Sequence, residues 1–195
     1  MARDDAYVER YSRQLILAEI GPCGQERLAA ARVAIAARGA AADRVVAYLA
    51  AAGVGMLAVA ADQCSLVDPD QPGVCVETLR PEAAAFDAAL VNADAASDAV
   101  AARHRFWIAG GRAAETPPCP DCAAAVLGAA RAVADPLATL RDAVLGTVVA
   151  TEIVKAIVGV GAPFGGRVLT CEPATATLTT TVVAPRPDCR RCAGV

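Results

Sequence analysis

Residues 32–61 read RVAIAARGAAADRVVAYLAAAGVGMLAVAA, and this stretch decides the fold. It opens at Arg32 to Ala37 with an apolar run of strand length. Asp43 is a natural N-cap for a helix running through Ala52, and Gly53 a natural stop, because glycine adopts the left-handed conformation that ends a helix. Met56 to Ala61 then forms a second buried strand. Strand, tight turn, helix and strand make a βαβ unit, so the chain is α/β with a parallel sheet.

On the N-terminal side, Leu15, Ile16, Leu17 and Ile20 cluster, Gly21-Pro22 interrupts them, and Cys23 to Ala31 has a helical composition. On the C-terminal side, Asp62 to Pro81 is rich in turn residues and Glu82 to Ala102 is alanine-rich without a clear period. Phe106 to Ala109 reads as a strand ended by Gly110-Gly111, and Pro117 to Cys122 as a turn. Val149, Ile153 and Ile157 recur at helical spacing within Gly146 to Val158, which stops at Gly159. Arg167 to Glu172 and Leu178 to Val183 are Thr/Val-rich and flank Pro173-Ala174-Thr175, a β-hairpin signal.

The chain has 195 residues, room for a single domain spanning 1–195. Hydrophobic residues make up 56 % of it but aromatics only 4 %, so the core is built from small side chains in close contact. A net charge of −3 excludes a nucleic-acid reader driven by phosphate neutralisation. Met1 to Arg13 is too charged for a secretory leader. The longest uncharged run, Val45 to Ala61, is broken by Gly53 and Gly55 and reads as helix plus strand, not a membrane span. A cytoplasmic protein with neither nucleic-acid nor membrane partners is expected, its eight cysteines being thiols or metal ligands.

Four of those cysteines form a pattern. Cys119-Pro-Asp-Cys122 and Cys189-Arg-Arg-Cys192 are two CxxC knuckles, and each turns both of its sulfurs toward one point. Two knuckles complete a tetrahedral thiolate site, the preference of structural zinc, and leave no open position for catalysis. Such a site ties the C-terminal segment to the middle of the chain. Four unligated thiols, or one redox CxxC, are the alternatives. Cys23, Cys64, Cys75 and Cys171 are scattered and read as small apolar or surface residues.

Several segments together resemble the ThiF/MoeB/HesA group, bacterial relatives of ubiquitin-activating E1 enzymes. They are Arg10-Tyr-Ser-Arg13-Gln-Leu-Ile-Leu, Ile20-Gly-Pro, Gly24-Gln-Glu-Arg-Leu28, Tyr48-Leu-Ala-Ala-Ala-Gly-Val-Gly55, Gly146-Thr-Val-Val-Ala-Thr-Glu152-Ile-Val-Lys155 and Arg186-Pro-Asp-Cys189-Arg-Arg-Cys192. The resemblance implies a Rossmann-like E1/ThiF fold, here truncated, with a C-terminal β-hairpin and a four-cysteine zinc site. It also implies ATP–magnesium chemistry that adenylates the C-terminus of a ubiquitin-like carrier, and a dimer in which an N-terminal arginine enters the partner's ATP site. Arg13 matches that arginine.

The residues that would touch ATP depart from the pattern. The family loop Gly-x-Gly-Gly-x-Gly falls on Ala37-Arg38-Gly39-Ala40-Ala41-Ala42, where only Gly39 survives as a cofactor-binding position. Added methyls sit where the backbone must approach a phosphate. The two acidic strand-end positions fall on Ala61 and Gln63; Asp62 lies between them and faces the other way if the strand is regular. The single lysine, Lys155, matches a late-helix lysine, so the ATP-site lysine is missing. The later Asp-Ala-Thr-Asp is degraded to Asn92-Ala-Asp94-Ala95, and Ala123 to Leu145 holds no cysteine for thioester chemistry.

ATP–magnesium is therefore expected to bind weakly or not at all, and no residue is assigned as catalytic. Three readings stay open: a zinc-stabilised pseudoenzyme that partners an active E1-like subunit or a small carrier, in a homo- or heterodimer; a divergent adenylyltransferase rebuilt around Arg38, Asp62 or Asp94; and a scaffold without a defined role. Arg13 either acts in the partner's site or pairs within its own helix. His104 reads as a solvated surface histidine, Trp107 as core, and Glu152 with Lys155 as a surface helix pair.

Overall fold

A computed structural model describes residues 5–80, 85–93, 100–129, 136–162 and 164–192. Eight strands form one sheet in the order β3-β2-β1-β4-β5-β6-β7-β8. They are β1 (Arg32–Ile35), β2 (Met56–Val59), β3 (Cys75–Thr78), β4 (Phe86–Asn92), β5 (Ala102–Ala109), β6 (Arg112–Glu115), β7 (Arg167–Glu172) and β8 (Thr177–Val182). The first five run parallel, and the last three continue the sheet antiparallel. Among the described residues the α-helices are α1 (Asp5–Leu15), α2 (Gly21–Ala30), α3 (Ala40–Ala52), α4 (Pro120–Leu127) and α5 (Ala138–Val158).

The βαβ unit and the C-terminal hairpin form as expected, with different bounds. α3 begins at Ala40, capped by Gly39 and not by Asp43, which lies in the helix's first turn. Gly53 ends it at φ 83°. β2 stops at Val59 and a 3-10 turn occupies Ala61–Leu66, so strand alternation does not reach Asp62. The stretch without a clear period contains β4, whose Ala88, Ala89, Leu90 and Val91 are all buried. A central parallel strand is covered on both faces and carries no alternation to read. Cys119 to Cys122 is the entry to α4 and not only a turn.

Successive residues of β1 and β5 feed two cores. Val33, Ile35, Phe106 and Ile108 join α3 and α5 on one face. Ala34 and Trp107 join the four knuckle cysteines on the other. Close contact is built into the glycines: a Cβ on Gly146 of α5 would lie 2.4 Å from the Ala41 carbonyl oxygen, and one on Gly55 would lie 1.9 Å from that of Ala29. Burying Leu49, Leu145 and Ile153 between α3, α5 and the sheet contributes about 1.5–3 kcal/mol per side chain.

Candidate functional site

The two cysteine knuckles meet on the face of the sheet opposite α5. Cys119 caps the N-terminus of α4, while Arg186 to Cys192 folds back over it. The Sγ atoms of Cys119 and Cys189 are 3.5 Å apart, those of Cys122 and Cys192 are 3.8 Å apart, and all four lie within 4.8 Å of one another. Sulfurs placed about 2.3 Å from one tetrahedral zinc stand about 3.8 Å from each other, so the four thiols fit a metal ion of that size. All four residues are buried.

Their surroundings hold them in place. Trp107 Nε1 donates to the Pro118 carbonyl at 2.8 Å, which fixes the approach to Cys119. The backbone N–H of Arg186 donates to Cys122 Sγ at 3.3 Å. Arg191 reaches the Ala93 carbonyl at 3.1 Å and Asp121 at 3.5 Å, joining the second knuckle to the first and to the end of β4. As free thiols Cys119 and Cys189 differ: burial pushes Cys119 up to about 12, while the backbone N–H of Cys192 lowers Cys189 to about 7. A metal would replace those protons.

The second site is the crevice at the carboxyl ends of β1 and β4, where the chain order of the sheet reverses and open α/β sheets bind ligands. Its loop runs from Ala36 to Gly39. Gly39 keeps φ 92°, with open space where a Cβ would stand. Ala37 and Ala42 are fully buried in the core, so their methyls are packing groups. The backbone N–H groups of Ala36 and Ala37 are both spent on the Leu90 carbonyl, at 2.9 and 3.2 Å. Arg38 lies over the mouth and reaches Asp62 Oδ1 and Gln63 Oε1 at 3.4 Å each. Gln63, at an expected acidic position, is buried and donates to Asp43 Oδ1 at 2.9 Å. Asp94 lies outside the described residues.

Lys155 sits far along α5, near the start of β5 and so at the opposite end of the strands from the crevice, with both Glu152 oxygens 2.7–2.8 Å from Nζ. That pair forms as expected but is half-buried. His104 is not a solvated surface residue. Its Nδ1 is 2.7 Å from Glu115 Oε1, because the β5–β6 hairpin brings the two strands alongside each other. Arg13 is exposed in the last turn of α1 and pairs with no carboxylate among the described residues. α1 itself is anchored by buried Tyr7 and Tyr11, whose hydroxyl (Tyr11) donates to the Pro72 carbonyl at 3.1 Å.

No protein-family model matches the chain. Segments of it match E1-like enzymes. The SAMP-activating enzyme E1 of Haloferax volcanii is 42 % identical over 62 residues, 32 % of this chain and 23 % of the enzyme. Adenylyltransferase and sulfurtransferase MOCS3 of Bos taurus is 42 % identical over 92 residues, 46 % of this chain and 19 % of that protein. The sulfur carrier protein adenylyltransferase of Thermus thermophilus is 48 % identical over 52 residues, covering 27 % and 19 %. The matches thus span less than a quarter of each of these relatives. In fold, E. coli MccB superposes over 97 % of this chain and 73 % of its own, with a TM-score of 0.65 at 14 % identity. PaaA superposes over 92 % and 84 %, with a TM-score of 0.66 at 16 % identity. These two likenesses establish the fold alone.

Proposed function

We propose that this chain, a ThiF/MoeB-like relative of E1 enzymes with a degenerate nucleotide loop, works by association and not by catalysis. It serves as a zinc-stabilised pseudoenzyme, one E1-like domain across residues 1–195, in the cytoplasm. Its partner is an active E1-like adenylyltransferase, in a homo- or heterodimer, or a ubiquitin-like sulfur carrier. The relatives named for SAMP activation and for a sulfur carrier protein motivate the carrier class. One observation supports the reading above all. Ala37 and Ala42 place methyls in the core at loop positions where an ATP site needs glycine, while the sole lysine is committed to Glu152 at the opposite end of the strands.

Cys119, Cys122, Cys189 and Cys192 would hold zinc, which supplies cross-linking of two chain segments and no chemistry. Arg13, exposed and without a carboxylate partner among the described residues, extends into the partner's ATP site. A guanidinium there makes bidentate, charge-assisted bonds to a polyphosphate that lysine cannot copy.

Calorimetry with ATP–magnesium and pyrophosphate exchange with a candidate carrier test the first part: neither signal is expected from the chain alone. A micromolar ATP affinity, about −8 kcal/mol, would overturn it in favour of a divergent adenylyltransferase using Arg38, Asp62 or Asp94. Mixing the chain with an active E1-like protein tests the second. Arg13→Ala and Arg13→Lys should leave the complex intact and slow the partner's adenylation about tenfold, roughly 1.4 kcal/mol at the transition state. An unchanged rate assigns Arg13 a local role.

A further inference from the structure

The chain's only histidine and only lysine face one pocket. It lies at the end of the sheet where the parallel strands β4 and β5 begin, away from the crevice and the cysteine cluster. One lobe, of about 270 Å³, is lined by Arg103, His104, Glu115, Glu152, Lys155 and Phe164. A second lobe, of about 400 Å³, adds Arg27, Asp87 and Ile157, and Arg103 and His104 belong to both. Together the lobes are in the size range of small-molecule sites.

The side chains there are held, not loose. Lys155 is gripped by both oxygens of Glu152, and a Cβ on Gly161 would stand 3.0 Å from its Cε, so the loop after α5 lies against the lysine stem. His104 is fixed by Glu115 across the β5–β6 hairpin.

Each acidic side chain of the pocket already meets a donor of the protein. Glu152 accepts from Lys155 through both oxygens, Glu115 is engaged with His104, and Asp87 Oδ2 accepts the Arg32 backbone N–H at 2.8 Å. Arg27 is used as a cap on the Val158 carbonyl at the end of α5. On the donor side, Lys155 has a third N–H and the exposed Arg103 has no partner among the described residues, while a neutral His104 that donates through Nδ1 presents Nε2 as an acceptor. Phe164 and Ile157 supply apolar wall beside these donors.

We propose that this pocket binds a small organic anion, its carboxylate or phosphate held by Arg103 and Lys155 and its apolar part laid against Phe164 and Ile157. The site is independent of the crevice, so it stands or falls apart from the association reading.

Titration calorimetry on the full chain tests it, with inorganic phosphate and succinate as separate probes. Saturable binding of one or both is expected. Phosphate alone would mark a phosphoryl ligand, succinate alone a carboxylate, and both the shared anion chemistry. Arg103→Ala, at an exposed position, should weaken binding about tenfold, the size of one charge-assisted hydrogen bond. The double change Lys155→Met with Glu152→Gln, which removes both charges and leaves neither buried alone, should weaken it at least as much. Arg38→Ala, at the crevice, should leave it unchanged. The proposal is overturned if neither probe saturates in the millimolar range, if binding survives Arg103→Ala undiminished, or if Arg38→Ala abolishes it.

Discussion

The cysteine cluster and the loop at Ala36 to Gly39 occupy comparable places in the fold, each beside the end of a central strand, yet their chemistry has gone opposite ways. In the cluster, four side chains from two distant segments converge to distances a metal requires. In the loop, Gly39 keeps its left-handed conformation while Ala37 and Ala42 belong to the core. A loop of this kind can lose its ligand without losing its shape, because the methyls of Ala37 and Ala42 pack into the core. A thiolate cluster has no such half-way form: removing one ligand leaves three sulfurs buried around an incomplete site.

The largest effect should come from breaking the cluster. Cys192→Ser, or a strong chelator, should lower stability by several kcal/mol, since structural zinc contributes roughly 10–16 kcal/mol in small zinc-dependent folds. Elemental analysis alongside thermal unfolding checks this; metal content near zero in untreated protein with all four thiols titratable would remove the basis of the comparison. Next, restoring glycine at Ala37 and Ala42 together should cost about 3 kcal/mol in lost methyl burial and backbone entropy. ATP binding should not return, because Gln63 and the missing lysine remain; denaturant unfolding and calorimetry read the two halves of that statement.

A smaller loss should follow Trp107→Phe. It removes the bond to the Pro118 carbonyl that fixes the first knuckle, at a cost of about 1–3 kcal/mol. Part of that loss should vanish in chelated protein, which a metal-dependent unfolding series measures. The smallest change is expected for Arg38→Ala, whose contacts to the exposed Asp62 and to the buried Gln63 are both long, with a cost under about 1 kcal/mol. A larger loss in urea titration would show that Arg38 has become a structural plug of the crevice.

The cluster is legible in the sequence because CxxC is a local pattern whose geometry hardly depends on what surrounds it. The βαβ unit is legible for a similar reason, its helix being stopped by Gly53. β4 is not, since a strand covered on both faces by alanine and leucine looks like any apolar stretch. The His104–Glu115 contact escapes a reading of His104 alone, although a signal for it exists. With Gly110-Gly111 as a two-residue hairpin turn, Phe106 falls opposite Glu115 and His104 takes the diagonal place on the same face. The place of Asp62 depends on where β2 ends, and that is set by tertiary packing and not by the strand's own residues.

The span of the cluster has a kinetic consequence. Cys119 and Cys189 are joined across 70 positions of chain, and between them run α4, α5, β7 and β8. Contacts of such separation form late, because the loop they close must first lose its freedom. An interaction absent from the folding transition state leaves the forward rate alone and acts on the reverse one. A metal held there would therefore govern how long a folded molecule lasts before it opens, leaving the speed of its first folding almost untouched.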